Sequence, residues 1–460
     1  LMPIVSPPFA IATAVITLFG RNGMISNKVF GLDIDIYGLK GLTLVLTISF
    51  FPVAYMNLKG MLESLDPSLD EAASNLGANK FKIFTSVTLP MLVPGIAGSI
   101  LLLFVESIAD LANPLVLGGD YTVLSSRAYL AITGEYNVAG GAAYSLVLLI
   151  PALSVFLIQR YWVGRKNVVT VTGKPAGSPE LITAPSLRIP ILSAAVIVSG
   201  LVVLMYLTVV VGGFVKIFGV NNDFTWAHYK FVLAGIGSDA MFTTTILALI
   251  ATPIAGILGM LIAWLVVRKL KRTAGLMDFV GMMGLAVPGT VIGIGYAIAF
   301  NTPTIFGGRQ WFPAVAGGSA IFGGAMAIVM VFVARSLPSG QRSGIAALQQ
   351  INPAIDEAST SLGANSFTTF RTVTLPLIRP ALVAGLTYAF ARSMTTLSPI
   401  VFITTPQTKI MTSQILAEVD AGRFGNAFAY CAILIVIVLS FIGLLNLITL
   451  HPSLRGIQRR

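Results

Sequence analysis

Long apolar runs constrain the fold of this chain more than any other feature. Of its 460 residues 55% are hydrophobic and only 10% are charged, against roughly 25% charged in a typical soluble domain. The apolar residues gather in runs near the ~20 residues that a helix needs to cross a bilayer, where a helix satisfies its own backbone hydrogen bonds. The sequence therefore predicts an all-α, polytopic helical membrane protein with about ten transmembrane helices. The predicted spans are residues 4–19, 39–55, 91–111, 142–157, 187–211, 240–267, 279–300, 314–337, 377–397 and 428–450.

One stretch of the chain occurs twice, at a constant offset of 286 residues. Segments 70–90 and 356–376 are identical at 13 of 21 positions. A duplication of this kind fixes how many copies of one structural unit the fold contains. The chain is therefore predicted to hold two tandem repeats.

Each copy predicts a helix, a glycine break and a second helix. An Asp or Asn followed by Pro is typical of the start of the first helix, and a glycine permits a left-handed residue at its end. A following Asn caps the second helix, and a Leu-Pro pair is expected to end that helix. These residues are Asp66, Pro67, Gly77, Asn79 and Pro90 in the first copy and Asn352, Pro353, Gly363, Asn365 and Pro376 in the second. The repetition indicates a shared docking role for the two loops.

The repeated stretch resembles the loop signature of binding-protein-dependent ABC importer permeases. That signature reads Glu-Ala-Ala, three residues, Gly, nine residues, an aliphatic residue, one residue and Leu-Pro. The matching residues are Glu71, Ala72, Gly77, Val87, Leu89 and Pro90 in the first loop and Glu357, Ala358, Gly363, Val373, Leu375 and Pro376 in the second, with Ser359 in place of the second alanine. The resemblance implies a type I, MetI-like transmembrane domain whose two loops couple to an ABC ATPase.

The resemblance also suggests how the chain is divided. We expect a first permease repeat over residues 1–165, a cytoplasmic linker rich in Pro, Gly and Lys over 166–186, and a second, parallel repeat over 187–460. The first half lacks counterparts of the two spans that open the second half, and the chain begins with Leu1 inside an apolar run. We therefore expect this sequence to be an N-terminally incomplete copy of a longer fused permease.

The distribution of charge predicts the topology. With both loops in the cytoplasm, the cytoplasmic segments hold 19 basic and eight acidic residues, which is the whole net charge of +11. This asymmetry is what the positive-inside rule requires of a multi-pass protein in the bacterial inner membrane. The basic residues lie at the span ends, so a lipid bilayer rather than nucleic acid is the expected partner.

Two charged residues lie within predicted spans at equivalent positions. Glu106 and Arg392 are 286 residues apart, each in the span that follows a loop. Charges inside a membrane usually face the bundle interior, water or a partner. We therefore interpret both as residues of the translocation pathway or its gate, with structural pairing as the alternative. Asp110, one turn beyond Glu106, is a third pathway residue and an alternative partner of Arg392.

Nothing in the sequence predicts catalysis or a cofactor in this chain. Gly173-Lys174 is followed by Pro175 where a phosphate-binding loop needs Ser or Thr, so ATP and magnesium are expected on a separate ATPase, a homodimer docked on the loops. His228 and His451 are too far apart in the chain to suggest a metal site, and Cys431 is the only cysteine. The predicted role is transport and not enzymatic chemistry.

The cargo is suggested by weaker resemblances. Segments 109–119, 169–174 and 392–399 resemble the fused permeases of ferric-iron uptake systems, while phosphonate, thiamine and polyamine permeases share parts of them. The resemblance implies delivery of the substrate by an extracytoplasmic solute-binding protein. An ion-coupled secondary transporter and a channel are the alternatives from other classes. The first does not explain the two amphipathic loops, and the second would need rings of charges or carbonyl filters that the sequence does not show.

Overall fold

The computed structural model describes residues 6–163, 185–306 and 309–450. Within these ranges the chain is helical apart from two short β-hairpins. The predicted linker 166–186 lies almost entirely outside the described residues, and so does His451. The all-α, polytopic fold class predicted from the apolar runs is confirmed.

Eight helices form the first half of the chain. They are α1 (Ala10–Phe19), α2 (Leu39–Ser64), α3 (Ser68–Asn75), α4 (Lys80–Ile83), α5 (Leu89–Ala109), α6 (Ala112–Leu117), α7 (Leu124–Thr133) and α8 (Val138–Ile158). Single π-helical turns occur at Met24–Val29, Phe84–Thr88 and Gln159–Val163.

The second half contains further helices and both hairpins. The helices are α9 (Pro185–Gly212), α10 (Ala227–Val232), α11 (Ile236–Trp264), α12 (Ala274–Ala286), α13 (Gly289–Phe300), α14 (Ala325–Gln349), α15 (Ala354–Ser361), α16 (Ser366–Thr369), α17 (Leu375–Leu377), α18 (Arg379–Thr395), α19 (Met411–Asp420) and α20 (Phe424–Leu450). The antiparallel hairpins pair β1 (Val215–Ile217) with β2 (Asn221–Phe224) and β3 (Thr304–Phe306) with β4 (Arg309–Phe312). Two π-helical turns lie at Leu265–Lys269 and Phe370–Thr374, and two 3-10 turns at Ile321–Gly324 and Ile400–Phe402.

The order of elements repeats in the two halves. The long helix α2, the short helices α3 and α4, the long helix α5, and the pair α7 and α8 recur as α14, α15 and α16, α18, and α19 and α20. A π-helical turn stands before the Leu-Pro pair in both copies. The duplication seen in the sequence is thus a duplication of structure.

The number of membrane-crossing helices differs from the predicted ten. Seven helices of the described residues are long and apolar enough to cross a membrane, and two bent helix pairs bring the number to nine. The predicted span 279–300 is one of these pairs, because α12 and α13 meet at 97° next to Pro288, which cannot continue a helix without a break. The predicted span 4–19 appears as the ten-residue helix α1, and residues 1–5 lie outside the described part.

The predicted span 314–337 is shifted along the chain. A turn with left-handed backbone at Phe322, Gly323 and Gly324 precedes the helix, so α14 begins only at Ala325. Pro338 does not end α14, which continues to Gln349. Arg335 and Arg342, which are among the 19 basic residues counted for the cytoplasmic segments, therefore both lie on this long helix.

The two halves share one core. Helices α11, α14 and α18 pack together in the second half, and α2, α5 and α8 pack together in the first. Contacts across the halves join α9 to α1 and α13 to α8. Large buried side chains from both halves, such as Phe9, Leu117, Phe332 and Phe428, belong to the same apolar cluster. This packing leaves a cavity between α5 and α18, the equivalent helices of the two halves.

Candidate functional site

The two repeated loops have the same backbone geometry. Gly77 and Gly363 have φ of +82° and +86°, a left-handed conformation that glycine adopts without strain. No neighbouring atom lies within 4 Å of a Cβ placed at either glycine, so backbone conformation and not packing requires glycine there. Asn79 and Asn365 cap the following helices, because their Oδ1 atoms accept hydrogen bonds from the backbone N–H of Lys82 and Thr368 at 2.9 and 2.8 Å.

The sequence was wrong about the role of the two prolines. The second helix of the first loop does not end at Pro90 but continues through it, and Lys80–Ala109 forms one continuous span. Pro376 is likewise inside a helical stretch, Ser366–Leu377, which then bends by 80° into α18. In both copies a proline at the second position of a helix follows a π-helical turn, a place where its missing N–H is tolerated.

The loops expose their apolar side chains. Leu76 is 88% and Phe81 is 76% exposed in the first loop, and Leu362 and Phe367 are 89% and 67% exposed in the second. Of the ten predicted coupling residues, Leu89 and Leu375 are half-buried and the others are exposed, namely Glu71, Ala72, Gly77, Pro90, Glu357, Ala358, Gly363 and Pro376. Each loop therefore presents an apolar surface next to an exposed acidic residue.

The second loop is fixed to the body of the protein by an ion pair. Nε of Arg268 lies 3.0 Å from Oδ2 of Asp356, while its Nη2 donates hydrogen bonds to the carbonyls of Leu348 and Ile351 at 3.1 and 2.6 Å. Phe370 is buried against Trp264, with ring centroids 5.1 Å apart. Asp70, the counterpart of Asp356, accepts only a long hydrogen bond of 3.4 Å from Thr88 among the described residues.

A cavity of about 260 Å³ lies between the halves. Its walls come from α2, α5, α14 and α18 and from the segments that precede α1 and follow α18. The charged and phenolic residues that line it are Glu106, Asp110, Arg335, Arg342, Tyr388 and Arg392. All three pathway residues predicted from the sequence are among them, while their functional role stays a prediction.

Glu106 and Arg392 meet in this cavity. Nη2 of Arg392 lies 3.5 Å from Oε1 of Glu106, and the two side chains are 24% and 18% exposed. The contact joins α5 to α18, and so it joins equivalent positions of the two repeats.

Asp110 is not the partner of Arg392. Its Oδ2 accepts hydrogen bonds from the backbone N–H and the side-chain Nδ2 of Asn113, at 3.1 and 2.9 Å. These bonds hold the carboxylate at the end of α5, where the chain turns into α6.

The sequence did not point to Arg335, Arg342 or Tyr388 as cavity residues. Arg335 and Arg342 are two helical turns apart on α14, and Tyr388 is one turn before Arg392 on α18, so each pair shares a helix face. The spacing of seven between the arginines was a usable signal. It was missed because both arginines were counted with the basic residues of the cytoplasmic segments, although Arg335 lies within the predicted span 314–337.

The family relationship follows from a comparison with known proteins. Residues 1–168 and 255–455 match the family model described as a binding-protein-dependent transport system inner membrane component. The chain belongs to this family. The matched segments include both repeated loops and the Glu106–Arg392 pair, and membership places this transport component in the inner membrane.

Curated relatives of this inner membrane component are long permeases. A protein of Actinobacillus pleuropneumoniae named ferric transport system permease protein FbpB is 35% identical over 96% of the chain and 64% of its own length. A putative protein of the same kind from Haemophilus influenzae is 34% identical over 89% of the chain, also with 64% of its own length covered. The chain therefore spans somewhat less than two thirds of these relatives. A solved bacterial ABC transporter for alginate import is 14% identical, with a TM-score of 0.47, over 58% of this chain and 95% of its own.

Proposed function

We propose that this chain is the membrane-spanning permease subunit of an ATP-driven importer. The observation that carries the proposal is the pair of exposed, apolar, glycine-hinged loops, one in each repeat, on helices that lead directly to a shared cavity. Apolar surface exposed in this way is typical of a site that binds another protein. The family is defined by dependence on a binding protein, which supports an extracytoplasmic solute-binding protein as the second partner.

We assign the power source to a separate ATPase homodimer docked on the two loops. Each loop offers the same apolar residues and an exposed Glu, so two identical subunits fit the two copies. ATP and magnesium belong to that partner in this proposal. The ion pair between Arg268 and Asp356 gives the second loop a rigid attachment through which motion of the ATPase reaches α11 and α14.

The proposed cargo is ferric iron. Support comes from the names of two curated relatives that match most of the chain. Phosphonate, thiamine and polyamine are the alternative cargoes that the sequence resemblance left open.

Proteoliposomes test the proposed function. They would contain the full-length permease, its ATPase and its binding protein, and the measurement is accumulation of ⁵⁵Fe(III) with ATP enclosed. We expect uptake that needs ATP and the binding protein and that continues when proton and sodium gradients are dissipated. Uptake driven by an ion gradient without ATP would instead indicate a secondary transporter.

A further inference from the structure

The carboxylates of the cavity between the halves have partners within the protein, whereas the arginines do not all have one in the described part of the chain. Three arginines and two carboxylates line it, and both carboxylates already have partners. Glu106 pairs with Arg392, and Asp110 accepts two hydrogen bonds from Asn113. The cavity therefore carries a net positive charge.

Two of the arginines keep free donors. Nη1 of Arg335 donates to the carbonyls of Gly284 and Val287 at 3.1 and 3.2 Å, while its Nε is buried without a hydrogen-bond partner among the described residues. Arg342 is exposed, and no hydrogen bond or ion pair joins it to another residue of the described part. The guanidinium group of Arg342 is therefore accessible to a ligand, and a hydrogen bond between charged groups would stabilise such a ligand.

Both arginines line the same cavity. Arg335 and Arg342 lie on one face of α14, which packs against α18, the helix that carries Tyr388 and Arg392. The planar guanidinium group matches the oxygens of phosphate and carboxylate and binds them with paired hydrogen bonds. The volume of about 260 Å³ is just below the roughly 300–1,000 Å³ of pockets for drug-sized ligands, so it suits a small anion or a small complex.

We propose that this cavity is an oxyanion-binding site, in which Arg335 and Arg342, with Tyr388, hold a phosphate or carboxylate group of the cargo during passage. The proposal rests on the proposed function, because it states the chemical form in which the cargo crosses. A bare trivalent cation would be repelled by the net positive charge, whereas iron that is complexed by an oxyanion, or an organic phosphate without iron, would be attracted. The ferric complex and the organic phosphate both carry an oxyanion group that the arginines can bind.

The test measures whether the iron label and the oxyanion label are transported together or separately. Proteoliposomes with the complete transporter are given ⁵⁵Fe(III) with [³²P]phosphate, ⁵⁵Fe(III) without any added oxyanion, or ¹⁴C-labelled glycerol phosphate without iron. ATP-driven accumulation of ⁵⁵Fe and ³²P in a constant ratio identifies a ferric phosphate complex as the source of the oxyanion. Accumulation of ¹⁴C without iron identifies a free organic phosphate. Either result supports the site.

Substitutions of the arginines test whether uptake of the oxyanion label depends on the cavity. We expect Arg342→Gln and Arg335→Gln to lower uptake of the oxyanion label by roughly ten-fold or more, the effect of losing a hydrogen bond between charged groups, and Arg342→Lys to keep an intermediate rate. Arg188→Gln is the matched control, because Arg188 is exposed and does not line the cavity. Because Arg342 is exposed, its variants separate ligand binding from folding.

The outcomes distinguish the two proposals. ATP-driven uptake of ⁵⁵Fe without any oxyanion, at the same rate in the wild type and in both Gln variants, would overturn the oxyanion site and leave the importer standing. Absence of ATP-driven uptake of every label would overturn the ferric-iron cargo and the oxyanion site together, and ATP-driven uptake of thiamine or a polyamine would then still identify the chain as an importer.

Discussion

At the scale of single residues, the Glu106–Arg392 pair connects the two repeats across the cavity. The sequence placed two opposite charges at equivalent positions, and the structure brings their side chains to 3.5 Å. The offset of 286 was enough to nominate the pair, because equivalent helices of two parallel repeats face each other. The offset could not show whether Glu106 or Asp110 pairs with Arg392. That depends on the hydrogen bonds that Asn113 donates to Asp110 at the end of α5.

Single substitutions in this pair should impair coupling. We expect Glu106→Gln or Arg392→Gln to lower transport or to make ATP hydrolysis independent of the binding protein. Breaking this partly buried ion pair strands one charge, at a cost below the roughly 3–5 kcal/mol of a fully buried pair. The double exchange Glu106→Arg with Arg392→Glu should restore part of the coupling. Glu135→Gln is the control, because it breaks the half-exposed pair with Arg127. Wild-type transport and ATPase activity in both single variants would contradict a role for the pair.

A second cluster of charged groups should make stability depend on pH. Burial raises the pKa of Glu418, but hydrogen bonds from Arg423 and Asn426 outweigh it and hold that pKa below its ordinary value of 4.5. Arg423 donates from Nε and Nη2 at 2.6 and 2.9 Å, and Nδ2 of Asn426 donates at 2.9 Å. These bonds fasten the end of α19 to the start of α20. Glu418 itself lies on α19, which is not one of the candidate membrane-crossing helices.

A lowered pKa stabilises the folded state only while the carboxylate is charged. We expect the contribution of Glu418 to be complete above its ordinary pKa of 4.5 and to be lost as the pH falls through the lower value of the folded protein. The measurement is the thermal unfolding temperature of the purified protein between about pH 6 and about pH 3. Glu418→Gln should be less stable at the upper end and should lose less on acidification. Parallel curves for the two proteins would contradict this account.

At the scale of elements, the loops were the most predictable part of the chain. The glycines with positive φ and the Asn caps were predicted correctly because each depends on local backbone chemistry. The end of the second helix was not, because a π-helical turn lets the chain pass through Pro90 and Pro376, and such a turn has no clear sequence signal. The burial of Phe370 against Trp264, beside the exposure of its counterpart Phe84, depends on tertiary contacts that the local sequence does not reveal.

Substitution of the loop glycines tests coupling directly. We expect Gly77→Val and Gly363→Val to distort the left-handed turn, because a β-branched residue is strained at positive φ. Since a Cβ at either position would meet no atom of a more distant residue within 4 Å, the helices that cross the membrane should remain inserted. The readouts are co-purification with the ATPase and ATP-driven uptake, and we expect both to fall. Gly60→Val is the control, because Gly60 also has open space around it but lies within α2. Full activity of the doubly substituted loop variant would contradict the coupling role.

At the scale of the whole molecule, the apolar runs predicted the fold class but not the exact set of crossings. Composition identifies segments that tolerate lipid, whereas the break between α12 and α13 and the continuation of α14 to Gln349 are set by local backbone geometry and by packing. Those two features matter for function. They bring Arg335 and Arg342 from a predicted cytoplasmic segment to the wall of the cavity.

ATP acting at the loops is expected to change the conformation of the cavity. Ala109, at the end of α5, lines that cavity, and Cys431 is buried and is replaced by alanine to leave a single cysteine. The measurement is the rate at which a membrane-impermeant thiol reagent modifies Ala109→Cys in the assembled transporter, with and without ATP. We predict a change of about ten-fold on ATP binding, as expected when a minor conformation becomes the major one. An identical rate in both conditions would contradict the claim.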